Sequence, residues 1–450
     1  MGKVFVQNIG NSVPSRDNLA FLWVIFLLSS FFYEYPILDI SSYDRLNPRL
    51  LDVAFLVGVF VVRKDWRFGR LSMPLQAWVL IVVWFCFCAV ISFLIYPEEY
   101  GIFSLWRAAK YTEGLSILYM LSLVRFNEAK INFIYKVIFI GSCFVALYCI
   151  FELFDNRTEV ELIPGVQVQV AEGTLTGPFG TGSYFQIAQT VAFCYCLMLG
   201  FSTRYRDLGR QCIFVAVSFI LSWPLMFSGS RTGLGLAVIA AMVIFVIDRG
   251  IRKAMIVVAV LLVPLATLSA YDRLSEQLES GLTIQRLLEF QSEVDSDNNI
   301  ENRFSISIDL DEYSAGWLLP IVGAGFYIAP VNYGGSEIYR LDFGKHNIYL
   351  FAFEQAGLIG LLLFIFFLWR MFTGLWIARK LATGSQKGLI IGCFSFLVAS
   401  AIIGFGAHNF WQGFASGNFN TFFLSVAMLA LAPLVRGDSL NEGIVSPHST

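Results

Sequence analysis

Apolar residues in this chain fall in long runs rather than alternating with polar ones. Twelve such runs approach or exceed the roughly 20 residues that a helix needs to cross a bilayer. They lie at about 19–38, 48–62, 74–96, 101–124, 131–153, 183–200, 211–227, 232–247, 251–270, 347–369, 388–405 and 418–435. Inside a bilayer every backbone N–H and C=O must be satisfied within the chain, so runs of this length read as helices. The pattern predicts an all-α, polytopic membrane protein with about twelve transmembrane helices. Two polar connections are long. One runs from about 154 to 182. The other, 271–345, is a large extracytoplasmic loop that opens on an amphipathic stretch and ends in a run rich in glycine and aromatic residues.

Charge orients this array. With the N-terminus inside, the inner connections hold 19 Lys and Arg and the outer ones 9. The short basic loops all land on the inner side, as the retention of cationic loops in the cytoplasm requires. Both termini are therefore expected in the cytoplasm. The expected organisation is residues 1–270 as helices 1–9, 271–345 as a periplasmic loop, 346–436 as helices 10–12, and 437–450 as a polar, disordered tail. The first apolar run continues too far for a cleavable signal peptide and reads as the first span.

Composition agrees with this picture. The chain is 57% hydrophobic and only 14% charged, which a soluble domain of 450 residues cannot keep in water. All eight cysteines fall in or at apolar runs, which argues against disulfides and against metal ligation. The 271–345 loop carries thirteen acidic residues against five basic ones, without the spacing of a calcium loop, and reads as a solvated surface. There is no P-loop, no dinucleotide-binding glycine pattern, no metal-ligand cluster and no paired aspartate of nucleotide-sugar enzymes. The chain is expected to need no cofactor or metal and to bind no nucleic acid.

Few residues remain that can carry chemistry. His346 and Asn347 open the tenth run in HNIYLFAFEQAGLIG. A histidine at the membrane–water boundary suits proton transfer, and capping or core packing is its bland alternative. Glu354 shares a helix face with Asn347, and either orients His346 or bonds a neighbouring helix. Arg231, in SGSRTG, places a permanent cation at an outer helix end, against the charge bias. It calls for an anionic partner, while Gly229 and Gly233 explain helix packing alone. Arg303 follows SDNNIEN in the long loop and taken alone is an ordinary surface residue. Arg107, Lys110 and Glu113 interrupt the fourth run at spacings of three. They either pair among themselves, or the two cations extend an anion site. His408, in GFGAHNFWQG, stands at another outer helix end.

Three of these pieces, taken in order, resemble the O-antigen ligase / O-antigen polymerase superfamily. They are SGSRTG, NRFSISIDLDEYSAGWLLPIVGAGF and HNIYLFAFEQAGLIG. In the second piece Arg303, Pro320, Gly323 and Gly325 stand where the family has an arginine, a proline and Gly-x-Gly. In the third, His-Asn is followed after nine residues by Gly357 and then Gly360. Ligases often continue with Thr-Trp, where this chain has Leu361 and Leu362. The segment TGPFGTGSYFQIAQ also resembles the family's outer segment, without its usual Pro-Asn. The similarity covers about residues 170–370.

The resemblance implies a GT-C-like, metal-independent, inverting glycosyltransferase in the bacterial inner membrane. Its donor would be a glycan on undecaprenyl diphosphate. Its acceptor would be lipid A-core for a ligase, or a growing glycan for a polymerase. A serine or threonine on protein is a third acceptor class. The resemblance gives His346 the role of general base, and gives Arg231 and Arg303 the diphosphate. Arg107, Lys110, Asn347 and Glu354 are further substrate-binding candidates. The rival from another class is a lipid-linked oligosaccharide flippase, which would be expected to show two related halves and short loops.

Overall fold

The computed structural model describes residues 16–33, 37, 48–62, 73–95, 99–154, 159–163, 166–169, 175, 177–179, 184–228, 230–260, 321, 323, 328–333, 336–341, 347–405 and 418–435. These form a helical bundle. Its helices are α1 (Arg16–Ser30), α2 (Leu50–Val62), α3 (Met73–Ile95), α4 (Glu99–Leu123), α5 (Glu128–Phe154), α6 (Tyr184–Ser202), α7 (Leu208–Leu221), the single turn α8 (Pro224–Phe227), α9 (Arg231–Ile247), α10 (249–260), α11 (Ile348–Leu381), α12 (Gly384–Ile403) and α13 (Asn418–Val435). A helix occupies part of every apolar run.

Five segments among the described residues are long and apolar enough to cross a membrane: Pro74–Ile91, Glu128–Glu152, Leu208–Met226, Gln355–Leu381 and Gly384–Ile403. Shorter apolar helices, including Gln186–Ser202 and Thr232–Ile247, accompany them. Leu56, Phe60, Ile140, Phe151 and Val246 are exposed on the bundle surface. Such a rim is costly in water and suits lipid chains.

The expectation of an all-α chain needs one correction. Two short antiparallel hairpins stand between the helices. β1 (Glu159–Ile163) pairs with β2 (Val166–Gln169), and β3 (Ile328–Tyr333) pairs with β4 (Ser336–Leu341). Both lie in the two long polar connections. Outside a bilayer, backbone groups do not have to be satisfied within one helix. The rest of the 271–345 loop lies outside the described residues.

α12 is the central helix. It packs against α6, α9, α11 and α13. Its crossing with α6 is close because glycines meet there. A Cβ on Gly388 would lie 2.6 Å from the carbonyl oxygen of Gly200, and one on Gly392 would lie 2.9 Å from that of Cys196. In a membrane, apolar surface gives helices no reason to associate, so van der Waals contact at small residues must hold them. An aromatic knot completes the core. Phe193 of α6 meets Phe396 of α12 at 4.9 Å between ring centroids, and Phe422 and Phe423 of α13 at 5.3 Å each. All four rings are fully buried.

The end of α12 opposite Ile403 is stapled by polar contacts. The Glu128 carboxylate accepts from the Ser385 backbone N–H at 2.9 Å, and Arg204 donates to Ser385 Oγ at 2.8 Å and to Asn132. All eight cysteines are free and lie on helices.

Candidate functional site

α9 begins at the SGSRTG motif. Ser230, buried and extended, caps the helix, and its Oγ accepts from the Gly233 N–H at 3.2 Å. A hydroxyl at this position satisfies one of the amides that a helix start leaves open. Ser228 Oγ in turn accepts from the Ser230 N–H at 3.3 Å. Arg231 is the first residue of α9. Its backbone thus sits at the positive end of the helix dipole, one turn outside the packed glycines.

α11 begins in the same manner at Asn347, which is 5% exposed. Asn347 Oδ1 accepts from the backbone N–H groups of Tyr349 at 3.0 Å and Leu350 at 3.2 Å. Its side chain is therefore engaged as a helix cap. His346 and Arg303 lie outside the described residues, as does His408. Glu354 takes its place in the first segment of α11, and Arg107 in α4.

The two helix starts meet at one end of α12. A Cβ on Gly233 would lie 2.5 Å from Ala188 Cβ on α6, and one on Gly235 would lie 2.8 Å from Ile403 at the end of α12. The next residue, Gly404, accepts from the Ile348 N–H at 2.9 Å and packs against the Ile348 side chain. Tyr349 also donates its hydroxyl to the Ala401 carbonyl at 2.9 Å. The start of α9 and the start of α11 therefore flank a single helix end.

The TGPFG segment joins them from the other side. Its Gly177 N–H donates to Glu152 Oε2 at 2.8 Å, and a Cβ on Gly177 would meet Ile187, the neighbour of Ala188. Four stretches separated in sequence are thus anchored at one end of the bundle.

α11 is not one straight helix. Gly357 has φ 65° and ψ −168°, so residues 348–356 and 358–381 are two helical segments divided at a glycine. A side chain at positive φ is strained, which is why glycine stands there. Gly323, itself at φ 76°, lies directly on this break. A Cβ there would be 2.5 Å from the nitrogens of Ala356 and Gly357. From the other flank Trp84 of α3 donates its indole N–H to the Ala356 carbonyl at 2.9 Å. Such a bond supplies a partner near a break, where regular helix bonding fails.

The second segment of α11 is by itself long enough to cross a membrane. Residues 358–381 alone span about 36 Å at 1.5 Å per residue, already longer than the hydrocarbon core of about 30 Å. The apolar segment Gln355–Leu381 overlaps the run from 347 to 369 read from the sequence.

The charged residues of α4 are partly resolved. Lys110 Nζ donates to Glu113 Oε2 at 2.8 Å and also pairs with Asp52 of α2. Glu113 Oε1 is buried and accepts no hydrogen bond among the described residues. Spacing along α4 foreshadowed the Lys110–Glu113 pair. Asp52 was not foreseen, because the contact joins residues 58 apart in sequence.

Residues 216–365 match the family model of the O-antigen ligase. The match contains Arg231, Arg303, His346, Asn347, Glu354 and both glycines at the break. It ends short of Arg107, Lys110 and the TGPFG segment. No curated protein matches the chain.

Proposed function

We propose that this chain, which carries an O-antigen ligase segment at residues 216–365, transfers a glycan from undecaprenyl diphosphate to a sugar hydroxyl. The acceptor is lipid A-core. The observation that carries this reading lies within the matched segment: its two capped helix starts, at Arg231 and Asn347, flank the same end of α12.

The chemistry assigned to these residues follows from the reacting groups. A diphosphate leaves readily once its developing charge is met, and fixed guanidinium groups meet it without a metal. Arg231 and Arg303 take that role. His346 removes the proton from the attacking hydroxyl as the new glycosidic bond forms and the bond to diphosphate breaks, inverting the anomeric carbon. One general base contributes about 10²–10⁴-fold. Holding two large substrates at one membrane boundary contributes through orientation. Asn347 orders the helix start that follows His346, and Glu354 lies two turns further along. Arg107 reaches for the donor's anionic group. Lys110, paired to Asp52 and Glu113, holds the segment of α4 that carries Arg107. Twelve spans, cytoplasmic termini and an extracytoplasmic site in the inner membrane complete the proposal.

A polymerase that extends the glycan on its carrier is the second reading, and Leu361 and Leu362 in place of the ligase Thr-Trp leave that choice open. A deletion strain separates the two when its lipopolysaccharide is resolved beside its extracted undecaprenyl-linked glycans. Bare core with long polymer retained on the carrier indicates the ligase. Core bearing one repeat unit indicates the polymerase. Wild-type glycan output from a well-expressed His346→Ala variant would overturn the general-base assignment, and lipid-linked units trapped on the inner leaflet would replace the enzyme by a flippase.

A further inference from the structure

α5 and α7 both pack against α6, and a crevice lies between them. It encloses about 310 Å³, part of it open at the bundle surface, and admits molecules of water size. Ser142 of α5 and Ser218 of α7 line it. Both stand inside segments long enough to cross a membrane, Glu128–Glu152 and Leu208–Met226. No bulk water reaches a hydroxyl at that depth in a bilayer. Three serines on the walls use their protons within their own helices. Ser142 donates to the Ile138 carbonyl at 2.8 Å, Ser218 to that of Phe214 at 2.6 Å, and Ser222 to that of Phe219 at 2.7 Å. Each keeps oxygen lone pairs for an incoming donor. Thr190 of α6 differs from them. It lines the crevice, is 3% exposed, and its hydroxyl makes no hydrogen bond with a described residue. A hydroxyl buried without a partner is costly.

We infer that this crevice binds one ordered water that joins α5, α6 and α7. Water matches a group on each wall. Its oxygen accepts the Thr190 proton, and its two protons go to the hydroxyl oxygens of Ser142 and Ser218. A hydrocarbon chain from the surrounding lipid would suit the apolar walls but leave the Thr190 hydroxyl without a partner. Buried waters typically make about three hydrogen bonds to polar groups that lack other partners. Between helices in a membrane, polar contacts are among the few forces that favour association. The joint also bears on the outer helix start. α7 ends at Ser222, on the wall of the crevice, and the chain leads through α8 to the capped start of α9 at Arg231. The water steadies the helix from which that turn departs.

The test uses the full chain in lipid nanodiscs. Thermal unfolding compares wild type with Thr190→Val, Ser218→Ala and the double variant. Valine has the shape of threonine without the hydroxyl. Thr190→Val is expected to melt about 1–2 °C below wild type, the shift that one lost hydrogen bond causes in a chain of this length. Thr190 and Ser218 make no direct hydrogen bond. A double-variant shift smaller than the sum of the single shifts therefore reports the water between them. Thr190→Val melting at or above wild type would overturn the inference, because removing an unpaired buried hydroxyl should not lower stability. Additive shifts would overturn the bridge to α7. A high-resolution cryo-electron microscopy map of the wild-type protein gives the direct view. A compact peak within hydrogen-bond reach of Thr190 Oγ1 is expected, and elongated density in the crevice would replace the water by a lipid chain.

Discussion

The indole nitrogen of Trp84 donates to the carbonyl of Ala356 at 2.9 Å, one residue before α11 breaks at Gly357. The two residues are 272 positions apart in sequence. The contact ties α3 to the point where the membrane segment of α11 begins. Gly323 packs against the same break.

Substitutions at this arrangement should loosen the break in α11. Trp84→Phe removes the donor and leaves a carbonyl unpaired, at a cost of about 1–3 kcal/mol. Gly357→Ala forces a Cβ into a backbone region essentially reserved for glycine, which costs about 1–3 kcal/mol. Thermal unfolding in detergent should show both variants melting below wild type. An unshifted Gly357→Ala would mean that the segment is straight in the protein.

The crossing of α6 and α12 allows no side chain. Gly388→Ala places a methyl group against the carbonyl of Gly200. Because the obstacle is backbone, the helices must move apart, and overpacking of this kind costs about 1–3 kcal/mol. Gly388→Leu should abolish the monodisperse peak in size-exclusion chromatography. A normal elution profile for Gly388→Leu would refute the close crossing.

Lys110 offers a test of pairing against donor binding. The side chains of Lys110, Asp52 and Glu113 are 20, 25 and 12% exposed. Lys110→Met strands two carboxylates and should cost about 2–4 kcal/mol, below the dry-core figure because water reaches the cluster. Adding Asp52→Asn and Glu113→Gln should restore the melting temperature. If the restored triple variant also shows a normal donor KM, Lys110 serves α4 and not the donor. A persistent defect in donor KM would return Lys110 to the substrate.

Arg231→Lys keeps the charge and loses the planar fork that matches a diphosphate. Expression and stability should stay near wild type, because Arg231 follows the Ser230 cap rather than forming it. Transfer should fall at least tenfold, seen as slower release of undecaprenyl diphosphate. Turnover equal to wild type would remove Arg231 from the donor site.

Much of the molecule was legible in the chain itself. A helix stands in every apolar run, because an apolar stretch of this length leaves the backbone no other economical way to bond itself. The SGSRTG and HN motifs read as helix starts, and Ser230 and Asn347 prove to cap them. Caps are legible because they are local: the residue that closes the helix lies two or three positions from the amides it serves.

What the sequence could not decide is which helices touch, since that depends on shape rather than on pattern. The glycines at 200, 388 and 392 look alike in sequence to any others, yet they set the α6–α12 crossing. Composition started the tenth span at 347. The break at Gly357 inside that run was not foreseen, because a single positive φ redirects a helix without altering its hydrophobicity. Asp52 as the partner of Lys110, Gly323 on the break and the crevice at Thr190 are likewise tertiary facts. The sequence by itself determined the helices and their caps. Only the packed structure decided which of those residues meet, because contact between distant segments follows from close packing and from the satisfaction of buried polar groups, and neither is written in any local window of the chain.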